Sequence, residues 1–463
     1  MTKEEIETLV IGSGPGGYVA AIRAAQLGKA VTIVEKEAIG GVCLNVGCIP
    51  SKALITAGHR YQESQTSQFL GLNVAGAEMD FSQTQRWKNE TVVRGLTAGI
   101  AQLLKKNNVK VIKGTARFTG RQQVEIVTAH DSKHYSFQEA VIATGSRPIE
   151  IKGFPFGGRI LDSTGGLNLK EIPKELVIIG GGVIGSELGS AYADLGSKVT
   201  LLEGSNQLLP SYEKDMVLAV EKSFKQKGIE SVINAVAQKA VSFDTYVEVT
   251  YEAAGKQQTV TADYVMVTVG RQPNTDHLGL DTAGISVDAR GLIPVDSQYR
   301  SANPAIYAIG DVVEGLALAH KASYDAKVVA EVIVGRKVQK DYQAMPAICF
   351  TTPELATTGF TLAEAKKQSL SATSYEFPLQ ANGRAISLNQ TEGFIRLIVA
   401  ADQRIIGGQI VGANASELIT EISLAVEASL TVEDLSLTIH GHPTLSEAVM
   451  DVAELAQGLP IHF

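Results

Sequence analysis

The chain has 463 residues, of which 44% are hydrophobic and 19% charged, and its formal net charge is −8. This composition predicts a globular protein of about three domains, and the acidic balance without a lysine or arginine run argues against a nucleic-acid partner. Because no signal-peptide pattern precedes the first strand and no unbroken apolar stretch approaches the ~20 residues of a membrane span, the sequence favours a cytoplasmic protein without a membrane partner.

Residues 8–35 follow the pattern of a dinucleotide-binding βαβ unit. An apolar run leads into Gly12-x-Gly14-x-x-Gly17, a helix of small residues follows, and a second apolar strand ends at Glu35. The glycines permit a tight turn and let backbone N–H groups approach a pyrophosphate, while the acidic residue can accept the hydroxyls of a ribose. A single motif of this kind is weak evidence.

The pattern returns over residues 177–203 at a constant offset of 168 positions (180 − 12). Three glycines repeat, at Gly180, Gly182 and Gly185, and Glu203 repeats the terminal acidic residue. Each unit also has a later strand that ends in a turn with glycine, arginine and proline. The repeat predicts two dinucleotide-binding domains, one of which is interrupted.

The second unit also indicates which coenzyme it prefers. Glu203 is followed by Gly204, Ser205 and Asn206, with no arginine close behind. A carboxylate at this position accepts a free ribose 2′-hydroxyl and repels a 2′-phosphate. The sequence therefore favours NAD over NADP.

The sequence pattern changes at about residue 341. Before this point a short apolar strand ends at Gly310 and Asp311, and a helix starts at about Leu318. An aspartate at a strand end can bind a polyol hydroxyl, although an ordinary turn aspartate is the simpler interpretation of the residue alone. After residue 341, strand and helix segments without a nucleotide motif predict an α+β module.

Two of the three cysteines, Cys43 and Cys48, lie five positions apart in a glycine-bracketed loop. A cytosolic thiol pair is more often catalytic or metal-binding than a structural disulfide, and no second Cys/His pair lies nearby to complete a metal site. Because a regular helix would hold the two Cα atoms too far apart for a disulfide, we expect Asn45 and Gly47 to distort the segment. Cys349, in an apolar run, is interpreted as a core residue.

The position of Pro50 distinguishes the two cysteines. Proline suits a first helical turn, which would place Cys48 close to a helix N-terminus whose partial positive charge stabilises a thiolate. Disulfide exchange needs one thiolate to attack and another to leave. Cys48 is therefore the better candidate for the stabilised thiolate, and Cys43, on the loop side, is the better candidate for exchange with a substrate.

His440 and His442 flank a glycine close to the C-terminus, and Pro443 follows. We expect Thr444 to be a helix N-cap and Glu447 to be its partner in a capping box. A histidine can also act as a general base, and a carboxylate can orient its ring. The simpler alternative is that the histidines are loop residues and that the glutamate only caps the helix.

Together these stretches resemble the flavin disulfide reductases of the pyridine nucleotide-disulfide oxidoreductase family. The resemblance covers the chain from end to end and rests on GSGPGG, GGVCLNVGCIPSK, ATGSRP, GGGVIGSELG, VGRQPNT, YAIGD, LAHKAS and HGHPTLSE. The cysteine motif and HGHPTLSE are highly specific, whereas the glycine fingerprints alone are not. The resemblance is strongest to members that oxidise protein-bound dihydrolipoamide with NAD⁺.

The resemblance implies an α/β fold with two Rossmann-like domains, for FAD and NAD, and a C-terminal α+β dimerisation domain. The expected parts are an FAD-binding domain with a redox disulfide at 1–148, an NAD-binding domain at 149–271, a central domain that completes the FAD site at 272–340, and the dimerisation domain at 341–463. No metal is expected.

The resemblance also assigns cofactor contacts residue by residue. Glu35 would hold the adenosine ribose of FAD, Asp311 the ribityl chain, and Lys52 would lie near the flavin ring with Glu187 beside it. The implied FAD contacts are Gly12, Gly14, Gly17, Glu35, Lys52, Gly114, Ala116, Gly145, Asp311 and Ala319. The implied NAD contacts are Gly180, Gly182, Gly185, Glu187, Glu203 and Gly270.

The implied reaction uses a Cys43–Cys48 redox disulfide. Dihydrolipoamide attacks through Cys43, His442 accepts a proton while Glu447 orients it, and electrons pass by way of FAD to NAD⁺. In a homodimer, His442 would serve the active site of the other subunit. The implied partners are a lipoylated acyltransferase core or lipoyl carrier protein and a peripheral subunit-binding domain, in 2-oxo-acid dehydrogenase complexes, the glycine cleavage system, or both.

Two alternatives stay open. Glutathione-, mercuric- and trypanothione-type reductases share the cysteine loop, but they typically use NADPH and carry arginines after the second acidic position. In this chain no arginine closely follows Glu203, which is the second acidic position. A docking subunit with vestigial catalysis is the other alternative. This second alternative is disfavoured because every catalytic position implied by the resemblance holds a residue that can perform the implied chemistry.

Overall fold

The first sheet is built mainly from residues 4–148 in the computed structural model, which describes residues 4–462. Its strands and the short strand after them are β1 (Glu4–Ile11), β2 (Val31–Glu35), β3 (Lys110–Lys113), β4 (Thr115–Gly120), β5 (Gln123–Val127), β6 (Ser132–Ile142) and β7 (Ser146–Pro148). Its helices are α1 (Pro15–Gln26), α2 (Gly41–Val46), α3 (Cys48–Thr66), α4 (Phe81–Arg86) and α5 (Arg94–Lys106), with a 3₁₀ turn at Ser67–Leu70 and a π-helical segment at Trp87–Val93.

The second unit repeats this arrangement. Its strands are β8 (Ile160–Leu161), β9 (Glu175–Ile179), β10 (Lys198–Leu202), β11 (Glu230–Val232), β12 (Val236–Ser242), β13 (Val247–Ala253), β14 (Lys256–Ala262) and β15 (Tyr264–Val267), and its helices are α6 (Ser163–Leu167), α7 (Val183–Asp194) and α8 (Lys214–Gln226). The parallel order β11-β10-β9-β15 matches the order β3-β2-β1-β6 of the first sheet. Each unit therefore has the strand order of a mononucleotide-binding βαβ half.

The chain returns to the first sheet after the second unit. Strand β16 (Arg271–Pro273) pairs with β7, and β17 (Ile306–Ala308) joins the first sheet beside β6. A 3₁₀ turn at Gly310–Val312 and helix α9 (Ala319–Ile333) follow, and α9 packs along α1. The interruption expected from the sequence is thus present, while the exact domain limits stay a prediction.

The C-terminal part is an antiparallel sheet covered by helices. Its strands, β18 (Ala347–Cys349), β19 (Glu354–Gly359), β20 (Ala372–Pro378), β21 (Phe394–Ala400) and β22 (Ile405–Gly412), have the order β18-β19-β22-β21-β20. A 3₁₀ turn lies at Leu379–Ala381, and the helices are α10 (Leu362–Lys367), α11 (Gly383–Leu388), α12 (Ala415–Glu427), α13 (Val432–Ser436) and α14 (Glu447–Ala456). The predicted fold class, two Rossmann-like units plus an α+β module, is confirmed.

The segment Gly41–Leu70 is, among the described residues, the one helical stretch whose length and mean hydropathy of 1.2 would suit a membrane span. From the sequence we expect no such stretch. The difference arises because valine, leucine, isoleucine and cysteine raise the mean hydropathy although polar residues interrupt the run. Leu54 and Ile55 of α3 are buried in one cluster with Leu188 and Tyr192 of α7, so the first half of α3 packs in the core.

The third glycine of each fingerprint is required where the helix crosses its strand. A Cβ atom added at Gly17 would lie 1.9 Å from the Gly12 carbonyl oxygen, and one added at Gly185 would lie 1.9 Å from the Gly180 carbonyl oxygen. Backbone atoms cannot yield as a flexible side chain can. These glycines therefore set the close contact of helix and turn in both units.

We expect Gly185→Ala to lower the free energy of unfolding by about 1–3 kcal/mol, because the added methyl group overpacks the turn. Thermal or denaturant unfolding of the purified protein measures this loss. Gly182→Ala is the matched control, since Gly182 has a φ of −70° and a Cβ atom there meets nothing within 4 Å. Equal stability of the two variants would contradict this account of the helix contact.

Candidate active site

A cavity of about 1970 Å³ lies between the two dinucleotide units and the C-terminal sheet. It exceeds the ~300–1,000 Å³ of a usual small-molecule site, so it has room for more than one ligand. The residues predicted from the sequence that line it are Gly12, Gly14, Glu35, Cys43, Cys48, Lys52, Gly114, Ala116, Gly145, Gly180, Gly182, Glu187, Glu203, Gly270, Asp311 and Ala319. The structure thus brings both cysteines and both fingerprints to one space.

Four predicted site residues do not line this cavity. Gly17 and Gly185 lie behind it, where each packs against its own turn. His442 and Glu447 lie elsewhere on the C-terminal module, and a single chain does not bring them to the cysteines.

The two cysteines meet because the helix is interrupted between them. Helix α2 ends at Val46 and α3 begins at Cys48, while Gly47 has φ −137° and ψ −118°, outside the helical region. A Cβ atom at Gly47 would lie 2.9 Å from the Val42 carbonyl oxygen. Both cysteines are free thiols, and the Cys43 thiol donates a hydrogen bond to Cys48.

The expected role of Asn45 needs correction. Asn45 lies inside α2 and does not carry the backbone distortion; that falls on Gly47. Its side-chain amide instead donates to the carbonyl oxygens of Ile39 and Gly41, at 3.0 and 2.8 Å. Pro50 lies in the first turn of α3, as expected from the sequence, so Cys48 stands at the helix start.

The environment separates the acidities of the two thiols. The hydrogen bond from Cys43 lowers the pKa of Cys48 to about 7, and the positive charge of Lys52 acts in the same direction. Donation of that hydrogen bond, together with burial, raises the pKa of Cys43 well above its ordinary value. The arrangement therefore favours a thiolate on Cys48 and a thiol on Cys43.

Lys52 and Glu187 form an ion pair at the meeting point of three parts of the chain. Lys52 Nζ donates to Glu187 Oε2 at 2.7 Å, and the Glu187 side chain is 4% exposed. The backbone N–H of Phe350 donates to Glu187 Oε1 at 2.9 Å, and Lys52 Nζ lies 4.5 Å from the centre of the Phe350 ring. Phe350 thus contacts both members of the pair.

The two acidic strand-end residues make matching contacts. Glu35 accepts hydrogen bonds from the backbone N–H groups of Ser13 and Glu37, at 2.8 and 2.7 Å. Glu203 accepts them from Gly181 and Ser205, at 2.6 and 2.7 Å. These donors are also separated by 168 positions, so each carboxylate is fixed beside its own glycine turn.

Asp311 follows β17 and joins a polar chain across the parts of the fold. Its Oδ2 accepts from the Ser146 hydroxyl at 2.6 Å, and that hydroxyl accepts from Arg271 Nε at 2.8 Å. Gly145 and Gly270 lie in the corresponding turns, with φ values of +66° and +135°. Gly114 and Ala116 lie near Glu35, whose carbonyl accepts from the Gly114 N–H, and Ala319 is the first residue of α9.

Phe350, Arg271 and Ser146 are not among the site residues predicted from the sequence. Arg271 and Ser146 lie in the repeated glycine-arginine-proline turns, so that repeat could have identified them. No local pattern marks Phe350, because its contacts depend on how the C-terminal sheet packs against α3 and α7.

His442 and Glu447 form a hydrogen-bonded pair on the C-terminal module. His442 Nδ1 contacts Glu447 Oε1 at 2.9 Å, and the other carboxylate oxygen accepts from the Thr444 N–H at 2.7 Å. Helix α14 begins at Glu447 with Ser446 as its N-cap, so the predicted N-cap at Thr444 is wrong. The chain tightens into a turn at residues 445–446, which delays the helix. The His442 side chain is 81% exposed.

Two family profiles match most of the chain. Residues 6–326 match the family described as pyridine nucleotide-disulphide oxidoreductase, and residues 345–453 match the dimerisation domain of the same family. The second match indicates that the chain forms a homodimer.

Individual proteins resemble the chain over nearly its whole length. Dihydrolipoyl dehydrogenase of Geobacillus stearothermophilus is 54% identical over 459 residues, which cover 99% of this chain and 97% of that protein. The protein of the same name from Bacillus subtilis (strain 168) is 52% identical over 460 residues, with 99% and 98% covered. The crystal structure of LpdA from Mycobacterium tuberculosis has a TM-score of 0.91 at 29% identity and covers 97% of this chain and 100% of its own. These matches confirm the resemblance carried by the motifs, and the chain belongs to the pyridine nucleotide-disulphide oxidoreductase family.

Proposed function

We propose that this protein is a dihydrolipoyl dehydrogenase, which oxidises protein-bound dihydrolipoamide to lipoamide and reduces NAD⁺ to NADH. The observation that carries the proposal is the contact of Cys43 with Cys48 at the start of α3, inside a cavity that also contains both glycine fingerprints. The name of the two relatives that align with the whole chain supports the same activity.

The residues present fit FAD in the first unit and NAD in the second. The turns at Gly12 and Gly180 leave no space for side chains, since an added Cβ atom would lie 2.4 and 2.7 Å from backbone oxygens, so a pyrophosphate could approach the bare backbone. When bound, FAD supplies a two-electron carrier between the dithiol and the nicotinamide. Glu203, which forms no ion pair with any residue of the described range 4–462, suits the 2′-hydroxyl of NAD.

Cys43 and Cys48 carry out the thiol–disulfide exchange. A thiolate of dihydrolipoamide attacks the sulfur of Cys43 in the oxidised enzyme, the Cys43–Cys48 bond breaks, and Cys48 leaves as a thiolate. The second lipoyl sulfur then attacks the first, which closes the lipoamide ring and releases Cys43. The lowered pKa of Cys48 makes it the better leaving group, and Lys52 stabilises its negative charge.

His442 is proposed to accept the proton of the attacking dithiol. Glu447 holds the ring through Nδ1, which leaves Nε2 to face the substrate. Because His442 is exposed and lies outside the cavity of its own chain, we assign it to the active site of the other subunit.

The partners and the compartment follow from the resemblance alone. A lipoyl group is carried on a protein, so we propose a lipoylated acyltransferase core or a lipoyl carrier protein as the substrate, and a peripheral subunit-binding domain as the docking partner. A role in 2-oxo-acid dehydrogenase complexes or the glycine cleavage system, and a location in the cytoplasm, stay predictions.

We expect Lys52→Met to raise the pKa of Cys48 above about 7, because the variant removes a positive charge that favours the thiolate. The rate of iodoacetamide alkylation of the reduced enzyme, followed against pH, measures this midpoint. Lys105→Met, at an exposed position of α5, is the matched control and should leave the midpoint in place. If the alkylation midpoint of Lys52→Met equalled that of the wild type, Lys52 would not stabilise the Cys48 thiolate.

The wild-type enzyme should reduce lipoamide with NADH and show at least about 100-fold lower kcat/KM with NADPH. We expect this difference because Glu203 repels the 2′-phosphate of NADPH. It should also leave oxidised glutathione unreduced with either coenzyme. Coenzyme absorbance at 340 nm follows all four combinations, and NADPH-dependent glutathione reduction would instead support the reductase alternative.

Cys43→Ser should lower dihydrolipoamide oxidation at least about 1000-fold, because a hydroxyl cannot take part in disulfide exchange. The purified variant should remain yellow, and NADH should still bleach its flavin absorbance. Cys349→Ala, which alters a buried thiol, should retain lipoamide turnover. Substantial lipoamide activity in Cys43→Ser would show that the exchange assignment is wrong.

A further inference from the structure

A buried ionic cluster lies behind the Gly310–Asp311 turn and is used by no step of the proposed reaction. Lys321 Nζ lies 2.8 Å from Asp325 Oδ2 within α9, and their side chains are 1% and 0% exposed. The Tyr299 hydroxyl, also buried, donates to Asp325 Oδ1. Burial and this hydrogen bond raise the pKa of Tyr299, which keeps its proton on the hydroxyl.

Asp325 connects the cluster to the turn. Its Oδ2 also accepts from the backbone N–H of Gly310 at 3.1 Å. Gly310 has a φ of +74°, and Asp311 follows it directly. One carboxylate therefore joins the segment before β17, the turn after β17, and α9.

The cluster does not touch the large cavity, whereas the turn does. Gly310 and Asp311 line the cavity, but none of the three cluster residues does so. On the cavity side the Ser146 hydroxyl holds the Asp311 side chain, and on the buried side Asp325 holds the backbone one residue earlier. The hydrogen bond from the Gly310 N–H to Asp325 is therefore a direct link between the cluster and the turn that lines the cavity.

Packing alone does not explain the charges. Moving two charges into a protein interior carries a large desolvation cost, and apolar residues of similar volume often stabilise a fold equally well. What apolar residues cannot supply is an acceptor for the Gly310 N–H, whose burial without a partner would be costly.

We propose that Lys321, Asp325 and Tyr299 are positioning residues that hold the Gly310–Asp311 turn in the geometry in which Asp311 accepts a polyol hydroxyl of FAD. Lys321 and Tyr299 fix the carboxylate, the carboxylate fixes the Gly310 N–H, and the turn presents Asp311. The cluster thereby sets how long the flavin stays bound. This inference rests on the proposed binding of FAD in the first unit.

The test is the rate of FAD release from the holoenzyme, followed by the rise of flavin fluorescence on dilution. Lys321→Met combined with Asp325→Leu removes both charges and the acceptor, and should release FAD at least about tenfold faster. Lys321→Met combined with Asp325→Asn is the matched control. It also removes both charges but keeps an oxygen for the Gly310 N–H, so it should stay within about threefold of the wild type.

A double-mutant cycle with Asp311→Asn separates positioning from a general loss of structure. If the cluster acts through Asp311, adding Asp311→Asn to the Met/Leu variant should accelerate release by less than about twofold, although the same change accelerates it severalfold in the wild type. If the Met/Leu change and Asp311→Asn accelerated FAD release independently, so that their fold-changes multiplied, the inference would be overturned. The inference would also be overturned if the Met/Leu variant released FAD at the wild-type rate and only the unfolding midpoint of its FAD-free form were lowered.

If the Met/Leu variant does not fold, Lys321→Met with Asp325→Ala carries the same test, because it removes the acceptor without adding bulk. A wild-type protein that is purified without flavin and does not take up added FAD would refute the proposed function. The release rates judge the positioning role separately, since they compare variants that all hold flavin.

Discussion

The hydrogen bond between the Cys43 and Cys48 thiols depends on the break at Gly47. A continuous helix from residue 41 onward would turn the two side chains to different faces and separate them. With Gly47 outside the helical region, Cys48 becomes the first residue of α3 and gains the stabilisation that a helix N-terminus gives to a negative charge. The backbone thus decides both the contact of the sulfurs and the difference in their acidity.

The ion pair beneath Cys48 depends on three separate parts of the chain. Lys52 comes from α3 and Glu187 from α7 of the second unit, and Phe350 directly follows β18. The same parts share a core, in which residues of α3 and α7 pack in one cluster with Cys349 and Leu355. The C-terminal module thus adds a backbone donor to an ion pair that joins the two dinucleotide units.

Much of the fold and of the site follows from local sequence. The 168-residue repeat predicts both sheets. The glycines, the acidic residue and the helix end recur because the turn and the helix make the same close backbone contact in each unit. The Cys43–Cys48 spacing similarly predicts a distorted segment. It does not say which residue is distorted, because both Asn45 and Gly47 tolerate unusual backbone angles and only their tertiary contacts separate them.

The contacts that the sequence did not predict are those between distant segments. Phe350 contacts Lys52 across almost 300 positions of sequence (350 − 52), and a local pattern carries no information about such a pair. The capping-box spacing of Thr444 and Glu447 predicts a start of α14 that is too early, because the chain makes a further turn before the helix begins. The side-chain contact itself, from Glu447 to the Thr444 N–H, forms as that spacing suggests.

Glu35 and Glu203 each have both carboxylate oxygens held by backbone N–H groups of their own unit. Folding has therefore already restricted the rotamers of these side chains, and a ribose that reaches them has little further side-chain freedom to remove. This preorganisation lowers the entropic cost of association in both units. It also means that the two dinucleotides would meet rigid carboxylates of the same orientation, so selectivity between them must come from the rest of each site.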